Sequence, residues 1–247
     1  MSNALKIKLL GRPQIIQGDS PVVVFHKAQA LFYYLAVTGR THPRSILIDL
    51  FWGKMSETNG KNNLRVTLSY LRKKLGNYLS IDRHTVAFNQ ETPYWLDVNV
   101  LKTNLRSMPK NIETLQEVVR LYRGPFLEGF HLSRETGFEE WVLTERRNFH
   151  NTIVDSLHTL TVLHKNRGNY VTGIDYANQL LSLENWREET HRLLMILLAS
   201  TGQRSAALEQ YRICQQILEE RYGISPSPET DQVYQDILSN KYSKVVS

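Results

Sequence analysis

The stretch NNLRVTLSYLRKKLG, Asn62–Gly76, decides how this chain is read. Leu64, Leu68, Leu71 and Leu75 follow one another at spacings of four, three and four, which places them on one face of an α-helix. At ~100° per residue they cluster within a narrow arc. The opposite side carries Asn62, Val66, Ser69, Tyr70 and Lys73, with Arg65, Arg72 and Lys74 on the flanks. Gly76 follows the last leucine, where a left-handed cap is expected. A leucine seam backed by amides, guanidinium groups and a tyrosine describes either a solvated surface helix or a helix built to enter a groove.

The flanking sequence favours the second reading. Upstream, KAQALFYYLAVTG (Lys27–Gly39) has Leu31, Tyr34 and Leu35 on one side and a glycine stop. RSILIDLFWG follows, with Pro43 suited to its first turn and Ile46, Leu47, Leu50 and Phe51 expected to face inward. The polar connection KMSETNGK then supplies Ser56 or Asn59 as N-cap of the quoted helix. The chain opens with three short apolar runs that read as strands, LKIKLLG, PQIIQG and PVVVF. After Gly76 come YLSID, TVAF and YWLDV, the last two joined through NQETP as an expected hairpin. Sheet, three helices and a closing hairpin describe a winged helix-turn-helix over residues 1–98, an α+β module.

From residue 99 to 247 the pattern is nearly all helical, so the fold class expected for the whole chain is mainly α. NIETLQEVVRLYRG is amphipathic, and a long helix is expected from Gly137 to Asn166. GNYVTGIDYANQLLSLE, from Gly168, aligns with GQRSAALEQYRICQQILEE, from Gly202, at an offset of 34 residues. That is the period of tetratricopeptide helix pairs, so residues 99–247 are expected to form a tetratricopeptide-like helical array.

Charge divides the same way. Residues 1–98 hold 13 Lys/Arg against 6 Asp/Glu, and residues 99–247 hold 17 against 18, so the net values are +7 and −1. A basic N-terminal half points to a polyanion partner for that half, with a merely solvated face as the bland alternative. One cysteine, Cys214, excludes an internal disulfide and a cysteine-built zinc site, and reads as a buried thiol. The N-terminus lacks a signal-peptide pattern and no apolar run approaches the ~20 residues of a bilayer span, so a cytoplasmic protein with no membrane partner is expected. GKMSETNGKNN fails as a phosphate-binding loop, because six residues separate Gly53 from Gly60 and Asn62 stands where Ser or Thr belongs. His150, His158 and His164 lack a third ligand at metal-binding spacing. No catalytic residue, metal or cofactor is expected.

Over almost its full length the chain resembles the AfsR/SARP family of bacterial transcriptional activators. HKAQALFYYLA, LIDLFWG and NNLRVTLSYLRKKLG resemble an OmpR-type winged helix. LYRGPFLEGF, FEEWVLTERR and STGQRSAALEQYRICQQILEERYGISPSPE resemble the bacterial transcriptional activation domain. The resemblance implies sequence-specific binding to double-stranded DNA at promoter direct repeats, a homodimer on DNA, and recruitment of RNA polymerase subunits. Asn62, Asn63, Arg65, Val66, Ser69 and Tyr70 are then the candidates for base edges, since amides and guanidinium groups pair with purines and a valine suits a thymine methyl. Arg72, Lys73 and Lys74, with Lys27 and Arg44 at the starts of the first two helices, are the candidates for phosphates. The expected wing tip, Asn89 to Thr92, carries no basic residue, and Arg83 with His84 on the neighbouring turn are its substitutes. The competing reading is a protein-interaction adaptor built on the helical repeat, which would show an apolar rather than a basic face on the quoted helix.

Overall fold

The computed structural model describes residues 4–106, 111–133 and 135–242. Three strands, β1 (Leu5–Lys8), β2 (Gln14–Gln17) and β3 (Ser20–Pro21), open the chain. They lead into helices α1 (His26–Thr38), α2 (Arg44–Trp52) and α3 (Glu57–Leu75), with β4 (His42–Pro43) between the first two. Strands β5 (Leu79–Ile81), β6 (Thr85–Phe88) and β7 (Tyr94–Leu96) follow. The first sheet runs β3-β2-β1-β7 and the second β4-β6-β5. PVVVF, expected as a strand, belongs to β3 only at its first residue, Pro21; Val22 adds one further bond to β2, and Val23 is exposed.

The closing hairpin is formed by different strands from those expected. β5 and β6 pair antiparallel, Leu79 opposite Phe88 and Ile81 opposite Val86, with Asp82, Arg83 and His84 as the turn. β7 leaves that sheet and lies parallel to β1, Leu5 opposite Tyr94. Asn89 to Thr92, the expected wing tip, is tied inward instead. Asn89 donates to the Asn77 carbonyl at 2.8 Å, and Gln90 donates to the Gly39 carbonyl at 2.5 Å.

α1 is buried nearly all round, from Ala28 to Val37. Gly39 closes it in the left-handed conformation. α2 turns Leu47, Ile48, Phe51 and Trp52 inward, whereas Ile46, expected to face the core, is 49% exposed and Leu50 is only half-buried. α3 buries Leu64, Leu68, Leu71 and Leu75 as its periodicity requires. Gly76 has a positive φ of 42°, but its ψ of −110° is not that of a left-handed cap.

The first compact unit comprises Met1–Met108 with Arg120–His150, and the second comprises Pro109–Val119 with Asn151–Ser247. A division at residue 98 separates two kinds of secondary structure, but the compact units divide elsewhere. Asp97, at the start of α4 (Asp97–Arg106), explains part of this. Its buried carboxylate accepts from the Leu9 and Leu10 amides at 2.7 and 2.9 Å, from its neighbour Val98, and from Arg123 at 3.1 Å. Burial pushes that carboxyl above its ordinary range, and these donors act against the shift. The chain beyond Arg123 continues the docking. Leu127 donates to the Leu9 carbonyl at 2.8 Å, and Gly11 donates to Pro125 at 3.1 Å. Phe138 and Trp141, at the start of α6 (Thr136–Asn166), pack on Phe51 and Tyr34.

The second unit is helical. α5 (Ile112–Leu121) lays Ile112 and Leu115 on Leu160 of α6. α7 (Tyr170–Leu183), α8 (Glu188–Ser200), α9 (Arg204–Tyr222) and α10 (Pro228–Leu238) pack successively, around Ala177, Leu194, Met195, Leu197, Ala207 and Ile237. The 34-residue repeat is visible in the backbone. Gly168 and Gly202 share a left-handed φ of 75° and 77°, and each precedes a helix by the same step. Asn169 and Gln203, at the two N-caps, have φ of −83° and −86°. Leu180 and Cys214, also 34 apart, are both buried, and burial pushes the Cys214 thiol up to about 12.

Burial in this unit disfavours the charged form of two histidines. Burial, then the nearby Arg167, keeps the His164 imidazole below its ordinary range, and neither of its ring nitrogens has a partner. Burial likewise lowers His191, against the Asn185 carbonyl and the Glu188 carboxylate, which act upward. A histidine lowered in the folded state contributes stability above its unfolded value of ~6.5 and loses it as pH falls through the folded value. The thermal midpoint of the second unit is therefore expected to fall between pH 7 and pH 5, and His164→Phe is expected to flatten that fall. An unchanged pH profile in the variant refutes this assignment.

Candidate nucleic-acid interface

α3 is positioned by its cap, its seam and a close approach. The Ser56 hydroxyl accepts from the Asn59 amide at 3.4 Å, so the helix begins at Glu57, earlier than the quoted stretch. Glu57 in the first turn and Arg72, Lys73 and Lys74 in the last suit the helix dipole, which stabilises all four in place. A hydrogen bond from Lys61 holds the Glu57 carboxyl below its ordinary value. Gly60 lies against α2, where a Cβ would meet the Ile48 Cγ2 at 2.6 Å. Gly60→Val is expected to push α3 from α2, costing about 1–3 kcal/mol in thermal unfolding and weakening any binding by α3. Retention of both the midpoint and binding would show that the close approach does not position the helix.

The solvent face of α3 is polar, basic and open. Asn62, Arg65, Val66, Ser69, Arg72, Lys73 and Lys74 are exposed, with Val66 at 60%. Asn63 is half-buried and donates to the Met55 sulfur at 3.1 Å. Tyr70 is half-buried against the Phe25 ring, with centroids 4.5 Å apart. Thr67, absent from the expected seam, is buried with the leucines.

Beside α3 the hairpin turn and the start of α2 form a groove of about 720 Å³, lined by Arg44, Asn62, Arg65, Arg83 and His84 among others. Two bonds hold its rim. The Arg44 amide donates to the His84 carbonyl at 2.9 Å, and its Nε donates to the Asp82 carbonyl at 3.1 Å. Arg44 therefore positions the turn that carries Arg83 while contributing its own charge. Lys61 also lines this groove and was missed by periodicity, because it precedes the quoted stretch by one residue.

Lys27 does not join the group. Its ammonium pairs with Glu135 at 2.6 Å and lies 5.1 Å over the Trp52 ring, so its charge is committed within the first unit. Its assignment to phosphate rested on its place at a helix start, and the acidic partner sits 108 residues away in sequence. Among the described residues no group of three or more His, Cys, Asp and Glu is placed to hold a metal ion. Nor is any helix among them long and apolar enough to cross a membrane.

Residues 101–238 match the family described as the bacterial transcriptional activator domain. The chain belongs to that family. With the winged helix ahead of it, the activator domain gives the chain the AfsR/SARP arrangement expected from its sequence. It is 25% identical to the regulatory protein AfsR of Streptomyces griseus over 252 aligned residues, covering 96% of this chain and 25% of that protein. It is 26% identical to the transcriptional regulator RedD of Streptomyces coelicolor over 236, covering 86% of this chain and 64% of RedD. The chain thus spans a quarter of AfsR and under two thirds of RedD. In fold it is similar to Mycobacterium tuberculosis EmbR, solved in complex with a low-affinity phosphopeptide. The TM-score is 0.70 at 19% identity, covering 99% of this chain and 69% of that one.

Proposed function

We propose that this protein is a transcriptional activator whose first unit reads double-stranded DNA with α3. The observation that carries the proposal is the pairing of a buried leucine seam with an opposite face of exposed Asn62, Val66, Ser69 and Lys73, flanked by exposed Arg65. A helix held this way presents amide and guanidinium donors at the spacing of base edges. Arg83 on the hairpin turn and Arg44 at the start of α2 flank the helix and reach phosphates, as do Arg72, Lys73 and Lys74. Residues 1–98 carry the DNA-binding elements, and residues 99–247 carry the activation domain. The helical second unit contacts RNA polymerase, and two copies occupy a promoter direct repeat. An adaptor using α3 as a protein surface fits less well, because that face is basic rather than apolar.

The test uses the full chain, since a cut at residue 98 would sever Asp97 from Arg123 and Lys27 from Glu135. Selection of bound fragments from random DNA is expected to return one preferred sequence, repeated in tandem. If five of the seven exposed or flanking cations of α3 and its groove meet phosphate, the salt slope is about −4.5, and affinity falls about 500-fold between 50 and 200 mM salt. Absence of any preferred sequence, or a slope near zero, would overturn the proposal.

A further inference from the structure

We infer that Val23 and Phe25, in the segment between β3 and α1, form a second specificity-determining element that reads thymine methyl groups alongside α3. This inference rests on the DNA-reading role proposed for α3. The segment is not a strand, yet it is tied at both ends. Val22 donates to the Ile15 carbonyl at 2.8 Å, and the Phe25 carbonyl accepts the first bond of α1, from Gln29, at 3.0 Å. Its side chains alternate. Val24 is buried in the core, while Val23 is 75% exposed and Phe25 is 43% exposed. Val23 is the most exposed large apolar side chain among the described residues.

Phe25 also stands at the N-cap of α1 and makes no side-chain cap bond there. That position favours Ser, Thr, Asp or Asn, and an apolar cap forgoes the stabilising side-chain bond they supply. What Phe25 does instead is meet Tyr70 ring to ring, while the Tyr70 hydroxyl lies 3.5 Å from the Val23 carbonyl. The segment is thereby fastened to the outer face of α3. Val66, Tyr70, Arg65 and Lys73 line one shallow depression on that face. Tyr70 joins it to Phe25 and so to Val23.

The occupant follows from charge and shape. An apolar ridge bordered by Arg65 and Lys73 suits a surface that is anionic at its edges and carries apolar groups between them. Major-groove DNA has this character where phosphates flank thymine methyls. A partner protein helix would present apolar side chains without the flanking phosphate charge.

The test compares the full wild-type chain with Val23→Ser on its selected DNA, with thymines replaced one at a time by uracil, which lacks the methyl. Val23 is exposed, so its replacement is expected to leave the thermal midpoint unchanged. Uracil at one or two positions is expected to weaken wild-type binding about five-fold or more, the low end of a base-specific contact. Val23→Ser is expected to lose the same factor on thymine DNA, nothing further on uracil DNA, and nothing on random DNA. If wild-type binds uracil DNA as well as thymine DNA, or if Val23→Ser matches wild-type on both, the inference is overturned while the reading by α3 stands. If Val23→Ser keeps DNA binding but loses activated transcription, the segment is a protein contact and the inference fails. If wild-type selects no sequence at all, the proposed function falls and takes this inference with it.

Discussion

Asp97→Ala is expected to cost the first unit about 3–5 kcal/mol, because it leaves buried donors without a partner. The side chain is fully buried and is the single acceptor for the Leu9 and Leu10 amides. It also fixes Arg123, which leads the docked segment that pairs with Leu9 and Gly11. Alanine removes all of these bonds at once. Asp97→Asn keeps one oxygen for the Leu9 and Leu10 amides, and gives up the bond from Val98 to the other oxygen together with the charge, which burial already disfavours. It is expected to cost less, about 1–3 kcal/mol. Denaturant unfolding of the two variants is the measurement. Equal and small losses, below about 1 kcal/mol, would show that the latch does not hold the unit together.

The second large effect separates reading from holding at the interface. Arg65 projects from α3 beside Asn62, while Arg83 sits on the hairpin turn across the groove. A guanidinium paired to a guanine edge is worth about 1–3 kcal/mol, so Arg65→Ala is expected to weaken binding to the selected DNA about 5- to 150-fold. It is also expected to relax the preference at one base pair, with affinity for random DNA falling much less. Arg83→Ala is expected to weaken binding to all sequences alike and to flatten the salt slope by about 0.9. Both side chains are exposed, so unfolding free energies should hold within about 0.5 kcal/mol. A binding-site selection with each variant checks this. If Arg65→Ala returns the wild-type sequence with unchanged stringency, α3 does not read through Arg65.

What the sequence alone determined lies within short spans. The leucine seam of α3, the Gly39 stop of α1 and the 34-residue repeat through Gly168 and Gly202 are periodic or positional signals, and the backbone follows them. Each is set by interactions within a few turns of helix, so side-chain spacing records it. The exposure of Asn62, Arg65, Val66 and Lys73 was legible for the same reason: a seam on one face assigns the other.

What only the tertiary structure decided lies in contacts between distant residues. YWLDV was expected to close a hairpin with TVAF, but a run of three paired residues fits many partners. β7 went to β1, 89 residues earlier by the Leu5–Tyr94 pair, leaving the turn at Asp82–His84 as the wing. Lys27 looked free at a helix start until Glu135 was brought to it, and no spacing signal singles out Asp97, on which Leu9, Leu10 and Arg123 converge. Phe25 and Tyr70, 45 positions apart, carry no spacing that would pair them. Local periodicity encodes which face of an element is buried, but it does not encode what covers that face. Chain connectivity and packing of the whole unit choose the cover, and so they chose which charges are left facing solvent.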